Sequence, residues 1–190
     1  MRIVFLDVDG VMNSHRHFAA MRRDGRPPVP QSVHHLYHSG DGRMPLSYHF
    51  DPEAMAALNH IIEKTRARVV ISSTWRDWKL TELHQHFAWQ GYRGPRFFSR
   101  TPNGGGVATA LDKRHGFKLA QGSSIIYASI SRGAEIDWWL KNVGIRHCVT
   151  SHVILDDESS MAMHTDRLVQ TDAQFGLTMA QAERAVAMLS

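Results

Sequence analysis

Three short apolar runs that each end in polar residues constrain the fold of this chain most. The runs cover residues 3–8, 69–71 and 148–155, and all contain β-branched side chains. Runs of this length are typical of strands that are buried on both faces of a parallel sheet. They lead into Asp9, Ser72-Ser73 and Asp156-Asp157. Because ligands gather at the carboxyl ends of parallel strands, we expect these polar residues to share one site.

Helical patterns separate the three runs. Residues 52–66 show the clearest one, because Asp51 can cap the helix, Pro52 occupies its first position and apolar residues recur on one face. Further helices are predicted from Leu80 to Gly91, from Arg132 to Gly144 and after Thr178, with Arg167–Gln170 as a candidate fourth strand. The alternation predicts an α/β fold: a three-layer, Rossmann-like parallel sheet with helices on both faces.

Two stretches interrupt this alternation, at about 14–50 and 92–130, where Gly, Pro and polar residues break the periodicity. We expect irregular, cap-like insertions there. The 190 residues can bury one substantial core but are few for two, so a single domain over residues 1–190 is expected.

Asp7 and Asp9 are separated by one residue at the end of the first predicted strand. Side chains of an extended chain repeat in direction every second residue, so both carboxylates can face one pocket. One carboxylate can attack phosphorus to form an aspartyl-phosphate, while the other protonates the leaving oxygen and then activates water. A calcium loop is the main alternative, but Val11 and Met12 stand where such a loop needs polar ligands.

Carboxylates that face a phosphate need a hard cation, and oxygen ligands favour Mg²⁺. Asp156 and Asp157 would complete that cation site. The hydroxyl of Ser72 or Ser73 could hold the phosphoryl oxygens, and a basic side chain should balance the remaining charge. A solvated turn or a plain loop start would explain each cluster alone. Their common position after apolar runs argues against coincidence.

These motifs resemble the haloacid dehalogenase-like (HAD) superfamily: Phe5–Val11 its first motif, Ser72-Ser73 its second and Val153–Asp157 its fourth. The resemblance implies that Asp7 is the nucleophile and Asp9 the general acid and base. It also implies a Mg²⁺ ion held by the Asp7 carboxylate, the Asp9 backbone carbonyl and one fourth-motif aspartate. Asp156 is the favoured direct ligand, with Asp157 further out, although these two assignments could be exchanged.

The third motif of that superfamily is a lysine or arginine near the start of the helix before the fourth-motif strand. Arg132 occupies this position, and Lys113, Lys118 and Lys141 are the other candidates. A guanidinium group can bind a phosphate through two parallel hydrogen bonds. We therefore expect Arg132 to pair with the phosphate of the substrate.

At finer detail, Ser73–Arg76, Arg132–Leu140 and Val169–Thr178 resemble the HAD domain of Swiss Army Knife RNA repair proteins. This resemblance implies a phosphatase that acts on 3′ or 5′ ends of RNA or on nucleotides. The sequence contains no Gly-x-x-x-x-Gly-Lys-Ser/Thr motif, so no kinase half is expected.

The net charge of +4 suits an anionic substrate such as a nucleotide or an RNA or DNA end. The one cysteine, Cys148, cannot form an internal disulfide, and no apolar run reaches the roughly 20 residues of a membrane helix. A cytoplasmic protein without membrane contact is therefore expected. Cys148 itself is expected to be buried as a small apolar residue.

Other residues have two interpretations. Arg76 could bind substrate or form an ordinary ion pair, and Trp75 and Trp78 could stack on bases or belong to the core. The first insertion is rich in histidine, but the paired spacing of a structural zinc site is absent, which favours a surface lid that meets an anionic substrate. The basic residues of that insertion are His15, His17, His34, His35, His38, His49, Arg16, Arg22, Arg23 and Arg26.

The sequence as a whole predicts a Mg²⁺-dependent phosphomonoesterase that acts on nucleotides or nucleic-acid ends. A phosphotransferase is one alternative, because only the acceptor differs. A catalytically weak module that binds RNA or a protein partner is the other, but the intact Asp7 and Asp9 pair argues against it.

Overall fold

A computed structural model describes residues 1–37, 44–103 and 131–190. The strands in these ranges form one five-stranded sheet in the order β3-β2-β1-β4-β5, with every neighbouring pair parallel. The strands are β1 (Arg2–Leu6), β2 (Arg68–Ile71), β3 (Ser99–Arg100), β4 (Ser151–Asp156) and β5 (Leu168–Gln170). The expected Rossmann-like α/β fold is therefore confirmed.

Apart from the first, the α-helices in the described ranges begin and end near the residues at which the sequence predicts them. They are α1 (His15–Asp24), α2 (Pro52–Thr65), α3 (Leu80–Trp89), α4 (Arg132–Asn142) and α5 (Met179–Leu189). At the start of α2, the Asp51 carboxylate accepts a hydrogen bond from the Glu53 amide. At the start of α5, Thr178 and Gln181 form a capping box, which agrees with the helix predicted after Thr178.

The central strand β1 is buried on both faces. Val4 and Leu6 belong to a core with residues of α2, α3 and α5, whereas Ile3 and Phe5 pack with Trp139 of α4 on the other face. This arrangement follows from the alternation of side chains along a strand. It fixes β1 between β2 and β4, so the polar residues that follow these three strands meet at one edge of the sheet.

The structure corrects three expectations. The first predicted insertion is not irregular throughout, because it contains α1 and the short 3₁₀ helices Gln31–Leu36 and Leu46–Tyr48. The second predicted insertion contains β3 before the described range ends. Cys148 is exposed, with a left-handed backbone (φ 49°), because β4 begins only at Ser151.

Within the described ranges, no helix is both long enough and apolar enough to cross a bilayer.

Candidate active site

Asp7 follows β1 directly and is 6% exposed. Its amide donates a hydrogen bond to the Leu155 carbonyl of β4 (2.9 Å), and the Ser72 amide donates one to the Leu6 carbonyl (2.8 Å). The sheet ladder thus continues for one residue beyond the strand. It holds the Asp7 carboxylate between the ends of β2 and β4.

Three carboxylates meet at this edge. Asp7, Asp156 and Asp157 each place an oxygen within 4.8 Å of the other two. Asp156 is fully buried; its Oδ1 accepts the Glu158 amide (2.9 Å), whereas its Oδ2 has no hydrogen-bond partner among the described residues. Burial, together with the charge of Asp7, raises the pKa of Asp156 to about 7. Burial also raises the pKa of Asp7 to about 6.

This donor set fits a hard divalent cation. Carboxylate oxygens are the ligands that Mg²⁺ takes, and a cation beside the cluster would give the unpartnered Asp156 oxygen a ligand role. It would also offset the mutual repulsion of the three acids. No other group of three potential metal-binding side chains occurs in the described ranges, so the histidines of the first insertion do not cluster there. His38 lies outside these ranges.

Arg132 is the basic residue that the structure brings to this cluster. It is the first residue of α4, and its guanidinium lies 3.6 Å from Asp7 Oδ1 and 3.6 Å from Asp156 Oδ2. It also donates a hydrogen bond to the Ser72 carbonyl. Lys141 instead forms an ion pair with Asp137 (2.8 Å). The position of Arg132 supports its predicted role.

The two remaining lysine candidates were Lys113 and Lys118. Both lie outside the described residues.

The two predicted serines have different environments. Both are fully buried; Ser72 Oγ has no partner among the described residues, whereas the Ser73 hydroxyl hydrogen-bonds the Asp7 carboxylate. Ser73 Oγ also accepts the Trp75 amide (3.3 Å) at the start of a 3₁₀ turn. The next residue, Thr74, is exposed and lines the pocket in front of Asp7. Sequence reasoning missed Thr74, because a turn after a strand changes which side chain faces the site.

Asp9 is held by two side chains that the sequence analysis did not assign to the site. Its Oδ1 accepts a hydrogen bond from Asn13 Nδ2 (2.8 Å), and its Oδ2 accepts one from Trp75 Nε1 (3.0 Å). Asn13 also accepts the Gly10 amide through Oδ1 (2.9 Å), which fixes the loop after Asp7. Trp75 is buried in the hydrophobic core, as one of its two interpretations expected, and its indole nitrogen also holds the Asp9 carboxylate in position.

Gly10 makes the close approach between this loop and β4 possible. Its φ is +75°, and a Cβ atom there would lie 2.5 Å from Asp157 Cγ. Any larger residue would be strained and would displace the Asp157 carboxylate. Thr171 Oγ1 donates to the Gly10 carbonyl (3.0 Å) from the other side of the loop.

Arg76 does not face the Asp7 pocket in the described structure. Its Nη1 bonds to Glu135 (2.5 Å), Thr101 (2.9 Å) and the Pro102 carbonyl (2.9 Å), and the ion pair with Glu135 is largely buried. A buried pair of this kind joins the second-motif loop to α4. Arg76 could have bound substrate or formed an ion pair, and the structure shows the ion pair with Glu135.

The residues around Asp7 enclose a pocket of about 340 Å³ that is half open to solvent. Its walls come from the loop after β1, the first turn of α1, the start of α4 and the loops after β2, β4 and β5. The lining residues are Asp7, Asp9, Gly10, Asn13, His15, Phe18, Thr74, Arg132, Asp157, Glu158 and Ala173.

If Asp9 is the general acid of a phosphatase, as the resemblance implies, Trp75→Phe should lower kcat by roughly tenfold, because Asp9 keeps its carboxylate but loses one of the two bonds that orient it. The loss should be larger for alkyl phosphates than for p-nitrophenyl phosphate, whose leaving group needs no proton. Trp78→Phe is the matched control, because Trp78 stacks on Trp75 (5.5 Å, 23°) without a bond to Asp9. Equal losses for both classes of leaving group would contradict the assigned role.

Comparison with known proteins agrees with this architecture. A family model described as the HAD domain in Swiss Army Knife RNA repair proteins matches residues 3–182. No curated protein and no solved structure matches the chain. Since the family model covers nearly the whole sequence, the chain belongs to the HAD domain family of Swiss Army Knife RNA repair proteins.

Proposed function

We propose that this protein is a Mg²⁺-dependent phosphomonoesterase that works through an aspartyl-phosphate on Asp7. One observation carries the proposal: the Asp7 carboxylate lines an open pocket beside an arginine, two further carboxylates and a second, oriented aspartate. A structural acidic cluster would need neither an open pocket nor Asp9 held by two donors.

In the first step, an Asp7 carboxylate oxygen attacks the phosphorus of the substrate, and the bond from phosphorus to the leaving oxygen breaks. Protonated Asp9 gives its proton to that oxygen, which leaves as an alcohol. In the second step, Asp9 takes a proton from water, and the water oxygen attacks the same phosphorus. The bond from phosphorus to Asp7 then breaks, which releases inorganic phosphate and restores the Asp7 carboxylate and the protonated Asp9 of the starting state.

The fixed groups of the site suit these steps. Arg132, 12% exposed, can donate to the phosphoryl oxygens while it remains close to Asp7 and Asp156. The exposed Thr74 hydroxyl can donate to the same group, and so can backbone amides of its turn. Ser73 orients the attacking carboxylate of Asp7 by a hydrogen bond. The contacts of Arg132 with Asp7 and Asp156 exist before substrate binds, so little reorganisation of the site is needed.

The Asp7 and Asp156 carboxylates and the Asp9 backbone carbonyl would hold the Mg²⁺ ion, with Asp157 further out. When bound, the ion would neutralise the cluster and stabilise charge on the transferring phosphoryl group.

The substrate is proposed to be a nucleotide or the phosphorylated end of a nucleic acid, RNA included. The family to which the chain belongs occurs in RNA repair proteins. The pocket is open on one side, which leaves room for a long phosphorylated strand. The sequence carries a net charge of +4 although several acids lie together in this site, so other surfaces are more basic.

A substrate panel tests the function. Wild-type protein is assayed with Mg²⁺ or with chelator against an aryl phosphate, nucleoside monophosphates, and oligonucleotides phosphorylated at the 3′ or the 5′ end. We expect Mg²⁺-dependent release of phosphate, fastest from a nucleotide or an oligonucleotide end. No turnover of any substrate together with tight oligonucleotide binding would instead favour a binding module. Transfer to an added alcohol in preference to water would favour a phosphotransferase.

A further inference from the structure

Phe18 is an aromatic residue that the hydrophobic core does not use. It lies on α1, whose buried residue is Met21. Phe18 belongs to none of the hydrophobic clusters of the described residues. It stacks on no other described ring either. Instead it lines the same pocket as Asp7 and Arg132. A half-exposed ring beside a nucleophile is a surface on which a flat group of the substrate can lie.

The helix that carries Phe18 is fixed in place. The His15 and Arg16 amides donate to the carbonyls of Ala173 (3.0 Å) and Gln174 (3.1 Å) in the loop after β5. The Ser14 hydroxyl caps α1 and donates to Asp51 (2.9 Å) at the start of α2. The ring is thus presented by a rigid platform, which lowers the entropic cost of binding.

The same helix is basic on the side of Phe18. His15, Phe18 and Arg22 are spaced three and four residues apart, so they share one face of α1. Arg22 is exposed and has no ion-pair partner among the described residues, whereas Arg16 pairs with Glu53 and Arg23 with Asp24. One turn beyond the ring, about 6 Å along the helix, there is therefore a positive charge free to meet an anion.

Other aromatic residues near the site are less suited to this role. Trp75 is 6% exposed and holds Asp9. Trp78 lines a different pocket with Tyr48, Asp77, Lys79 and Glu82, where Lys79 is already paired with Glu82 (2.9 Å) and Asp77 would repel a phosphate chain.

We propose that Phe18 stacks on the terminal base of a phosphorylated nucleic-acid strand while Arg22 contacts the phosphate of the neighbouring nucleotide. This inference rests on the proposed function, and it names the base and the strand as what the enzyme recognises. Base stacking on an aromatic ring tolerates every base, so α1 would select nucleic acid over small metabolites without selecting a sequence. Purines, which present the larger face, are bound best.

The test compares two oligonucleotides that carry the phosphate on the same end: one with a normal terminal nucleotide and one with an abasic terminal nucleotide. The kcat/KM of wild type, Phe18→Leu and Phe18→Trp is measured on both. The kcat/KM of Phe18→Leu is expected to be about tenfold below that of wild type on the normal end and at most about twofold below it on the abasic end. Phe18→Trp should restore the preference for the base, because it restores the aromatic face.

Arg22→Gln tests the second contact. It should weaken binding of the oligonucleotide by a few-fold and reduce the dependence of KM on salt. The ratio of kcat/KM between the normal and the abasic end should stay unchanged. A ratio that changes as much as it does in Phe18→Leu would contradict the separate assignments.

Phe175→Leu is the matched control, because Phe175 is another exposed ring of this chain but does not line the pocket. Equal losses of Phe18→Leu on both oligonucleotides, or the same losses in Phe175→Leu, would overturn the inference. If wild type turns over no substrate, the proposed function fails, and the stacking contact is then tested by binding alone. Fluorescence anisotropy would measure the affinity of wild type and the Phe18 variants for both oligonucleotides. A loss of affinity in Phe18→Leu that is confined to the normal end would support stacking, and its absence would exclude stacking.

Discussion

Asp7→Asn is expected to lower turnover of the best substrate by roughly 10⁴-fold or more, because an uncharged amide cannot attack phosphorus. The change keeps the size of the side chain and the backbone bond to Leu155. It should also stabilise the metal-free protein at pH 7.5, because burial raises the pKa of Asp7 to about 6 and an ionised carboxylate is unfavourable there. The measurements are kcat with Mg²⁺ and thermal unfolding in chelator.

Asp166→Asn is the control for the Asp7 variant. Asp166 is exposed, pairs with Arg167 (3.3 Å) and does not line the pocket, so the same chemical change there should leave kcat within about twofold. Full activity in Asp7→Asn would exclude Asp7 as the nucleophile. If Asp7→Asn lost its fold together with its activity, the predicted stabilisation of the metal-free protein would be wrong.

The sheet and its polar edge could be predicted because they depend on strong local signals. An apolar run such as Val69–Ile71 can only be buried, and parallel strands place their carboxyl ends together whatever the loops do. This is why Asp7, Asp156 and Arg132 lie as close as the sequence indicated. Helix α2 was equally clear, since a cap, a proline and an apolar stripe agree.

Helix α1 could not be predicted from its residues. Only Met21 of the helix is counted as buried, so its apolar stripe is too narrow to stand out in a polar segment. The helix exists because tertiary contacts with the loop after β5 hold its first turn. For the same reason nothing in the sequence distinguishes Phe18, although it lines the pocket.

The fine structure of the site depends on directions that a sequence does not encode. Trp75 was expected to stack on bases or to pack in the core, and only the fold turns its indole nitrogen toward Asp9. A signal was available for Asn13, because an amide four residues after an aspartate in a glycine loop can bridge back to it. Ser72 and Ser73 were placed in the correct loop, but the exposed hydroxyl belongs to Thr74.

Asp156→Asn is expected to weaken Mg²⁺ binding by at least about tenfold, because it removes a charged ligand whose Oδ2 accepts no hydrogen bond in the described structure. Wild type should unfold at a higher temperature as Mg²⁺ is added, and the variant should need much more of the ion for the same shift. Asp166→Asn removes the same charge from an exposed position outside the pocket, so its Mg²⁺ response should stay close to wild type. Identical responses of the two variants would exclude Asp156 as a ligand.

Asp156→Asn should also stabilise the metal-free protein, and the size of this stabilisation should depend on pH. Burial and the charge of Asp7 raise the pKa of Asp156 to about 7, against about 3.9 in an unfolded chain. Between these values the folded state binds more protons, so the free energy of unfolding of the wild type falls as pH rises from about 4 to about 7. Asparagine does not titrate. In chelator, the free energy of unfolding of Asp156→Asn should therefore exceed that of wild type by near zero at pH 4 and by on the order of 2–4 kcal/mol at pH 7.5. A difference in chemical denaturation that does not change with pH would mean that the pKa of Asp156 is not raised and that the metal-free cluster carries no such strain.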